Sequence, residues 1–325
     1  MKTIAFFNNK GGVGKTTLVY HLAHMLPRLG HSVLAVDLDP QSNLTSAFFD
    51  EEYLEKLWNE PQKTIFSCVA PIIEGTGDIG QPAVEEISGN LNLIAGDLAL
   101  SRFEDRLSEA WPKCLNADPA ALRATSAFYR ITKSAAEDVG ASVALLDVGP
   151  NLGAINRAAL LAADYLVIPM AADLYSLQGL KNLGPTIRAW KATWARVTES
   201  PPKNIDLPSG AMDPAGYVVL QHAVRLDRPA RAFAKWMERI PGVYFESVVG
   251  RRARKSEDGC LATLRNFRSL MPMSQEAHKP MFDLTPADGA IGSHAKLADT
   301  CRSEFQDLSV KIAKACGLRA RPAQG

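Results

Sequence analysis

Short apolar runs recur along the chain, each five or six residues long and each ended by polar or glycine-rich sequence. They fall at residues 3–8, 32–37, 91–95, 143–147, 165–169 and 217–222. Runs of this length fit strands buried on both faces, because they are too short for a helix and do not alternate strictly. Between them the apolar positions recur at spacings of three and four. Leu18, Leu22, Met25, Leu26 and Leu29 predict a helix over residues 15–29, and Leu297, Cys301, Phe305, Leu308 and Ile312 predict a last helix over residues 293–315. Strands alternating with helices predict an α/β fold with a mainly parallel twisted sheet and helices on both faces. In such a sheet, ligands bind along the C-terminal ends of the strands. Residues 1–325 read as a single domain, with insertions expected at 50–89, 111–123 and 198–214 and a frayed tail over 318–325.

The first strand–helix junction carries the clearest chemistry. It reads Asn8-Asn9-Lys10-Gly11-Gly12-Val13-Gly14-Lys15-Thr16-Thr17. Gly14-Lys15-Thr16 is the end of a phosphate-binding loop, G-x-x-x-x-G-K-[ST], but Asn9 replaces the first glycine and a second lysine, Lys10, follows it. Glycines let the backbone turn so that N–H groups face a phosphate, and the helix N-terminus adds partial positive charge at the same point. Lys10 through Thr17 are therefore the candidate nucleotide contacts. Lys15 is expected at the β- and γ-phosphates, and the Thr16 hydroxyl on Mg²⁺. The run Val143-Ala144-Leu145-Leu146-Asp147 has the apolar-then-aspartate form that holds Mg²⁺ through water, with Asp147 as the carboxylate.

With Lys10 and Lys15 in one loop, the chain resembles the ParA/Soj/MinD group of deviant Walker A P-loop ATPases, most closely the ParA-type partitioning ATPases. Asp37-Leu38-Asp39-Pro40-Gln41-Ser42-Asn43 resembles the family's first switch segment, and residues 148–153 its second. Val148-Gly149 departs from the Thr-Pro-Pro-like triplet that many members carry there. Segments 163–169 and 176–180, and the run 273–280 with Asp288-Gly289-Ala290, also match familiar family sequence. The resemblance is strong from residue 1 to about 183 and weaker beyond. It implies P-loop NTPase architecture, ATP and Mg²⁺ as cofactors, and a homodimer in the ATP state. It also implies that Lys10 reaches the partner's nucleotide, that Asp39 orients the attacking water and that Asp37 supports the Mg²⁺ shell. Nonspecific DNA binding by the ATP dimer, a ParB-like stimulating partner, slow hydrolysis and a role in plasmid, chromosome or cargo partition are implied likewise. The loop begins at residue 8, so the helix-turn-helix domain that precedes it in longer plasmid proteins is not expected.

Composition and charge narrow the partners. The 46% apolar and 22% charged residues are ordinary for a soluble globular protein, and the formal net charge is only +1. Its distribution is uneven: residues 201–275 hold 12 Lys and Arg against 7 Asp and Glu, whereas residues 41–140 hold 8 against 16. Two basic clusters, Arg225, Arg228 and Arg231 with Lys235 and Arg239, then Arg251, Arg252 and Arg254 with Lys255, are candidates to neutralise DNA phosphates without reading sequence. A solvated helix face and a basic loop are the alternative. The five cysteines are scattered without a CxxC pair, which points to neither a zinc site nor a disulfide framework and fits a reducing cytoplasm, with nucleoid association following from DNA binding. No apolar run approaches the ~20 residues that span a bilayer.

His21 and His24 on the first helix read as structural, and His222 beside a nucleotide base is less favoured than a packed histidine. Other functions remain open. The last helix could act as the amphipathic anchor of a MinD-like membrane switch, although its pattern equally fits a helix packed on the sheet. The insertions leave room for a nucleotide-gated regulatory or defence scaffold. An iron–sulfur reductase relative is disfavoured, because Cys114 precedes the aspartate strand and Cys260 lies far beyond it.

Overall fold

A computed structural model describes residues 1–60, 62–222, 229–254, 256–267 and 269–319. Among the described residues, β1 (Lys2–Phe6), β2 (Val33–Asp37), β3 (Glu85–Ser88), β4 (Leu91–Ile94), β5 (Val143–Asp147), β6 (Tyr165–Met170), β7 (Asp213–His222) and β8 (Cys260–Arg265) form one sheet. The helices are α1 (Lys15–Arg28), α2 (Asn43–Phe48), α3 (Glu51–Asn59), α4 (Ile65–Glu74), α5 (Phe103–Cys114), α6 (Pro119–Thr125), α7 (Ala127–Asp138), α8 (Ala154–Leu161), α9 (Leu174–Thr198), α10 (Pro229–Val243), α11 (Leu270–Ala277) and α12 (Ser293–Ala315). The strand order is β3-β4-β2-β5-β1-β6-β7-β8, and only the β3–β4 pair is antiparallel.

The central strands are mostly apolar because both their faces are covered. Ile4 and Phe6 of β1 point to a layer containing α1, α11 and α12, whereas Ala5 of β1 and Phe7 just after it point to the layer of α4 through α9. Val33, Ala35, Val143 and Leu145 follow Ile4, and Leu34, Val36, Ala144 and Leu146 follow Ala5. The period of two in strands thus divides the interior into two cores.

Register places the chemistry. Phe6 and Asp37 both lie opposite Asp147, so the exit of β1 and the carboxylates of Asp37 and Asp147 share one level at the C-terminal edge. The expected α/β sheet is therefore present, with changes at its margins. β1 stops at Phe6 rather than residue 8; Phe7 N–H still bonds Val167 C=O at 3.1 Å before the chain turns away. β3 and β8 are two further strands, both at the edges. Residues 50–89 hold α3, α4 and β3, while 111–123 hold the end of α5 and most of α6. Segment 198–214 is irregular until β7 begins at Asp213, and residues 320–325 of the expected tail lie outside the described residues.

α12 runs where its pattern placed it. Its Cys301, Phe305, Leu308 and Ile312 are buried in the core shared with α1, so the stripe that could have met a membrane packs on the protein. No helix among the described residues is long and apolar enough to cross a membrane.

Candidate nucleotide-binding site

The loop after β1 is held from both sides. Asn8 donates from Nδ2 to Pro169 C=O at 2.6 Å, and its Oδ1 accepts from Lys10 N–H at 3.0 Å. Asn9, standing where the usual loop has glycine, faces Gly179 of α9; a Cβ at Gly179 would meet Asn9 Oδ1 at 2.6 Å. Gly12 and Gly14 turn the backbone through the left-handed region (φ 71° and 89°), and Gly14 is the N-cap of α1. L side chains rarely adopt this conformation, so glycine is required at both.

Lys15 and Thr16, in the first turn of α1, converge on Asp147. Lys15 Nζ is 2.5 Å from Asp147 Oδ1 and 3.9 Å from Asp39 Oδ2, and Thr16 Oγ1 donates to Asp147 Oδ2 at 2.7 Å. Asp147 is fully buried; burial pushes its pKa up, opposed by Lys15 and the Thr16 hydrogen bond. Asp37 is also fully buried, and burial, then the neighbouring Asp147 charge, raise its pKa. Its oxygens accept from Asp39 N–H (3.3 Å), Thr45 N–H (2.8 Å) and Thr45 Oγ1 (2.7 Å), which ties β2 to the start of α2. Asp39 accepts from Gln41 N–H at 3.0 Å, an Asx-type turn that fixes its carboxylate beside Lys15.

A cleft of about 530 Å³ extends from Lys10–Thr17 past Asp39, Gln41, Asn43 and Pro150 to Met271, Ser274 and Gln275 of α11, while Asp37 and Asp147 are fully buried and do not line it. A carboxylate, a hydroxyl and a lysine at one strand-end level suit a phosphate-bound hard cation, which takes oxygen ligands. Thr16 lines the cleft and Asp147 is bonded to it and to Lys15, whereas Asp37 is spent largely on Thr45.

Lys10 sits at the rim. Its ammonium pairs with Asp173, and it lies 5.8 Å from the ring centroid of Tyr175. Burial raises the Asp173 pKa, but hydrogen bonds from Lys10 and Ser176 outweigh it and hold the carboxyl below its ordinary value. Leu174 and Tyr175 beside this pair are 55% and 75% exposed, an apolar patch next to a cation.

A second, smaller hollow of about 90 Å³ opens on the other side of Thr17, between Leu18, Leu220, Leu264, Asn266 and Phe267. The side chain of His222, the less favoured candidate for the base, lies outside the described residues; residues 264–267 form one wall of the hollow, and Val13, Gly14, Thr17 and Leu18 another.

The basic candidates divide. Arg225, Arg228 and the side chain of Arg231 lie outside the described residues. Arg251 forms a bidentate pair with Glu257 (2.6 and 3.1 Å) and stacks on Phe245 at 4.8 Å, so its charge is matched within the chain. Arg252 and Arg254 are exposed, and Lys235 and Arg239 of α10 flank Trp236. His21 and His24 pack among Tyr20, Phe48, Phe282 and Phe305 rather than forming a ligand pair.

Comparison with known proteins converges with this geometry. A family model described as an AAA domain matches residues 1–198. The chain belongs to the ParA/Soj/MinD family of P-loop ATPases. It is similar to protein IncC of Escherichia coli (28% identical over 256 residues, 78% of this chain and 60% of IncC). It is also similar to the chromosome-partitioning ATPase Soj of Thermus thermophilus (33% over 195 residues, 59% of this chain and 64% of Soj). The matches thus span about three fifths of each relative's own length. Among solved structures, a Corynebacterium diphtheriae protein superposes with a TM-score of 0.68 at 24% identity, covering 97% of this chain and 98% of that one. A putative plasmid partition protein of Borrelia burgdorferi bound to AMPPNP gives 0.60 at 20% identity, covering 96% and 98%. At these identities the structures show a shared fold.

Proposed function

We propose that this ParA-family chain is an ATP-driven dimerising switch that binds DNA nonspecifically in its ATP state and serves partition of a plasmid, chromosome or other cargo. The observation that carries the reading is the convergence of Lys15, Thr16 and Asp147 with Asp39, while Lys10 waits at the rim beside exposed Leu174 and Tyr175. Lys15 and the loop from Gly11 to Thr17 bind the phosphates. Thr16 and Asp147 would hold Mg²⁺, which neutralises phosphate charge when bound. Asp39 orients the attacking water. Lys10 leaves Asp173 and completes the site of a second copy, with the Leu174–Tyr175 patch covered in the same step.

The DNA limb rests on Arg252 and Arg254, with Lys235 and Arg239 as further phosphate contacts. A ParB-like partner would stimulate hydrolysis and end the DNA-bound state. Fluorescence anisotropy of a random-sequence duplex, with Mg-ATP and with Mg-ADP, tests this. Salt-sensitive binding in ATP alone is expected. Absence of binding in both nucleotides would reject the DNA role.

A further inference from the structure

The loop between β5 and α8, residues 148–153, is held by one carboxamide that the sequence does not single out. Asn156 lies in the first turn of α8 and is 1% exposed. Its Oδ1 accepts from Gly149 N–H at 3.0 Å, while Nδ2 donates to Gly149 C=O at 2.9 Å and to Asn151 C=O at 2.7 Å. A two-point bond to one residue's N–H and C=O fixes its backbone in a single orientation. Gly149 in turn lies against Asp39: a Cβ there would stand 3.5 Å from Asp39 Oδ1 and 3.4 Å from Asn156 Nδ2. The helix that carries Asn156 is anchored separately. Its N-cap is Gly153, which has no side chain to bond the first amides, and Glu104 of α5 bonds them instead, accepting from Ala154 N–H at 2.6 Å and Ile155 N–H at 2.8 Å.

We propose that Asn156 is a positioning residue for hydrolysis, setting the Gly149 backbone against Asp39 so that the carboxylate meets the attacking water in one geometry. The inference rests on the ATPase reading. Rotation of the Gly149 peptide would change the dipole facing the Asp39 carboxylate, and a displacement of about 1 Å can cost on the order of 100-fold in rate. If Asn156 only stabilised the loop, its loss would weaken folding and nucleotide binding together rather than turnover selectively.

The test measures turnover at saturating Mg-ATP and affinity for Mg-AMPPNP in wild type, Asn156→Ala and Asn156→Asp. The alanine variant is expected to lose about 10- to 100-fold in turnover, with AMPPNP affinity within about threefold of wild type. Asn156→Asp keeps the size of the side chain, and carries the test if the alanine variant does not fold. When protonated, its carboxyl can donate to Gly149 C=O while accepting from Gly149 N–H; ionised, it cannot donate. Burial among carbonyls favours the protonated form, so its turnover relative to wild type is expected to be higher near about pH 6 than near about pH 8. Variants that turn over like an active wild type overturn the inference alone. Parallel loss of turnover and AMPPNP affinity overturns it too. An inactive wild type overturns the ATPase reading and this inference with it.

Discussion

His21 ties the helix of the phosphate loop to the C-terminal segment, and acid should cut that tie. Its Nδ1 bonds Thr17 C=O at 2.7 Å and its Nε2 accepts from Met281 N–H at 3.0 Å. The ring also stacks on Phe305 at 4.8 Å between centroids. Both nitrogens are used in the neutral form, and protonating Nε2 would set N–H against N–H. Burial first, against a favourable bond to Thr17, lowers the pKa from 6.5 to about 4. The unfolded chain therefore takes up this proton before the folded one does. Stability is unaffected by His21 above about pH 6.5 and falls as pH drops from there towards about 4. The full interval corresponds to about 3 kcal/mol, of which about 2 kcal/mol is lost by pH 5. Urea unfolding of wild type and His21→Gln at pH 7 and pH 5 isolates the contribution. The variant starts less stable, by roughly 2–4 kcal/mol for the lost ring packing, but should lose about 2 kcal/mol less than wild type on acidification. His24, also lowered to about 4 by burial, stays in both proteins. Equal losses in the two proteins would refute the reasoning.

The remaining predictions concern packing, nucleotide and DNA. Gly184→Ala should lower the melting temperature by several degrees, because the new Cβ would sit 1.7 Å from Ser247 C=O in the π-helical turn Tyr244–Val249 and overpacking typically costs about 1–3 kcal/mol. Differential scanning fluorimetry reads it, and an unchanged melting temperature would contradict the close helix crossing. Lys15→Ala should abolish the rise in melting temperature produced by Mg-ATP in wild type, because the proposal makes this lysine the central phosphate contact. Arg252→Glu combined with Arg254→Glu should reduce DNA affinity by at least about tenfold while leaving Mg-ATP binding intact, as seen by anisotropy and scanning fluorimetry.

The parts of the fold that could be read in advance are those where one physical demand dominates. The central strands β1, β2, β5 and β6 are buried on both faces, so each carries an apolar run that stands out, such as residues 4–6, 33–36 and 143–146. The margins obey mixed demands. β3 is Glu-Glu-Ile-Ser at one edge, where charge is tolerated, and β8 at the other edge buries only Leu261 and Leu264 and follows neither an unbroken apolar run nor a strict alternation. The phosphate loop was legible because glycine, lysine and threonine must occur in order within a few residues. Asn156 was not, because its partners Gly149 and Asn151 become meaningful only once the loop has folded back on α8. The internal neutralisation of Arg251 by Glu257 depends in the same way on how a loop closes.

The central claim is that nucleotide controls assembly through Lys10. Sedimentation velocity of Asp39→Ala, which should bind ATP without turning it over, tests it with Mg-ATP, with Mg-ADP, and again after adding Lys10→Ala. The account predicts dimer in Mg-ATP, monomer in Mg-ADP, and monomer in both once Lys10 is removed. A monomer throughout, or a dimer that persists without Lys10, would contradict it.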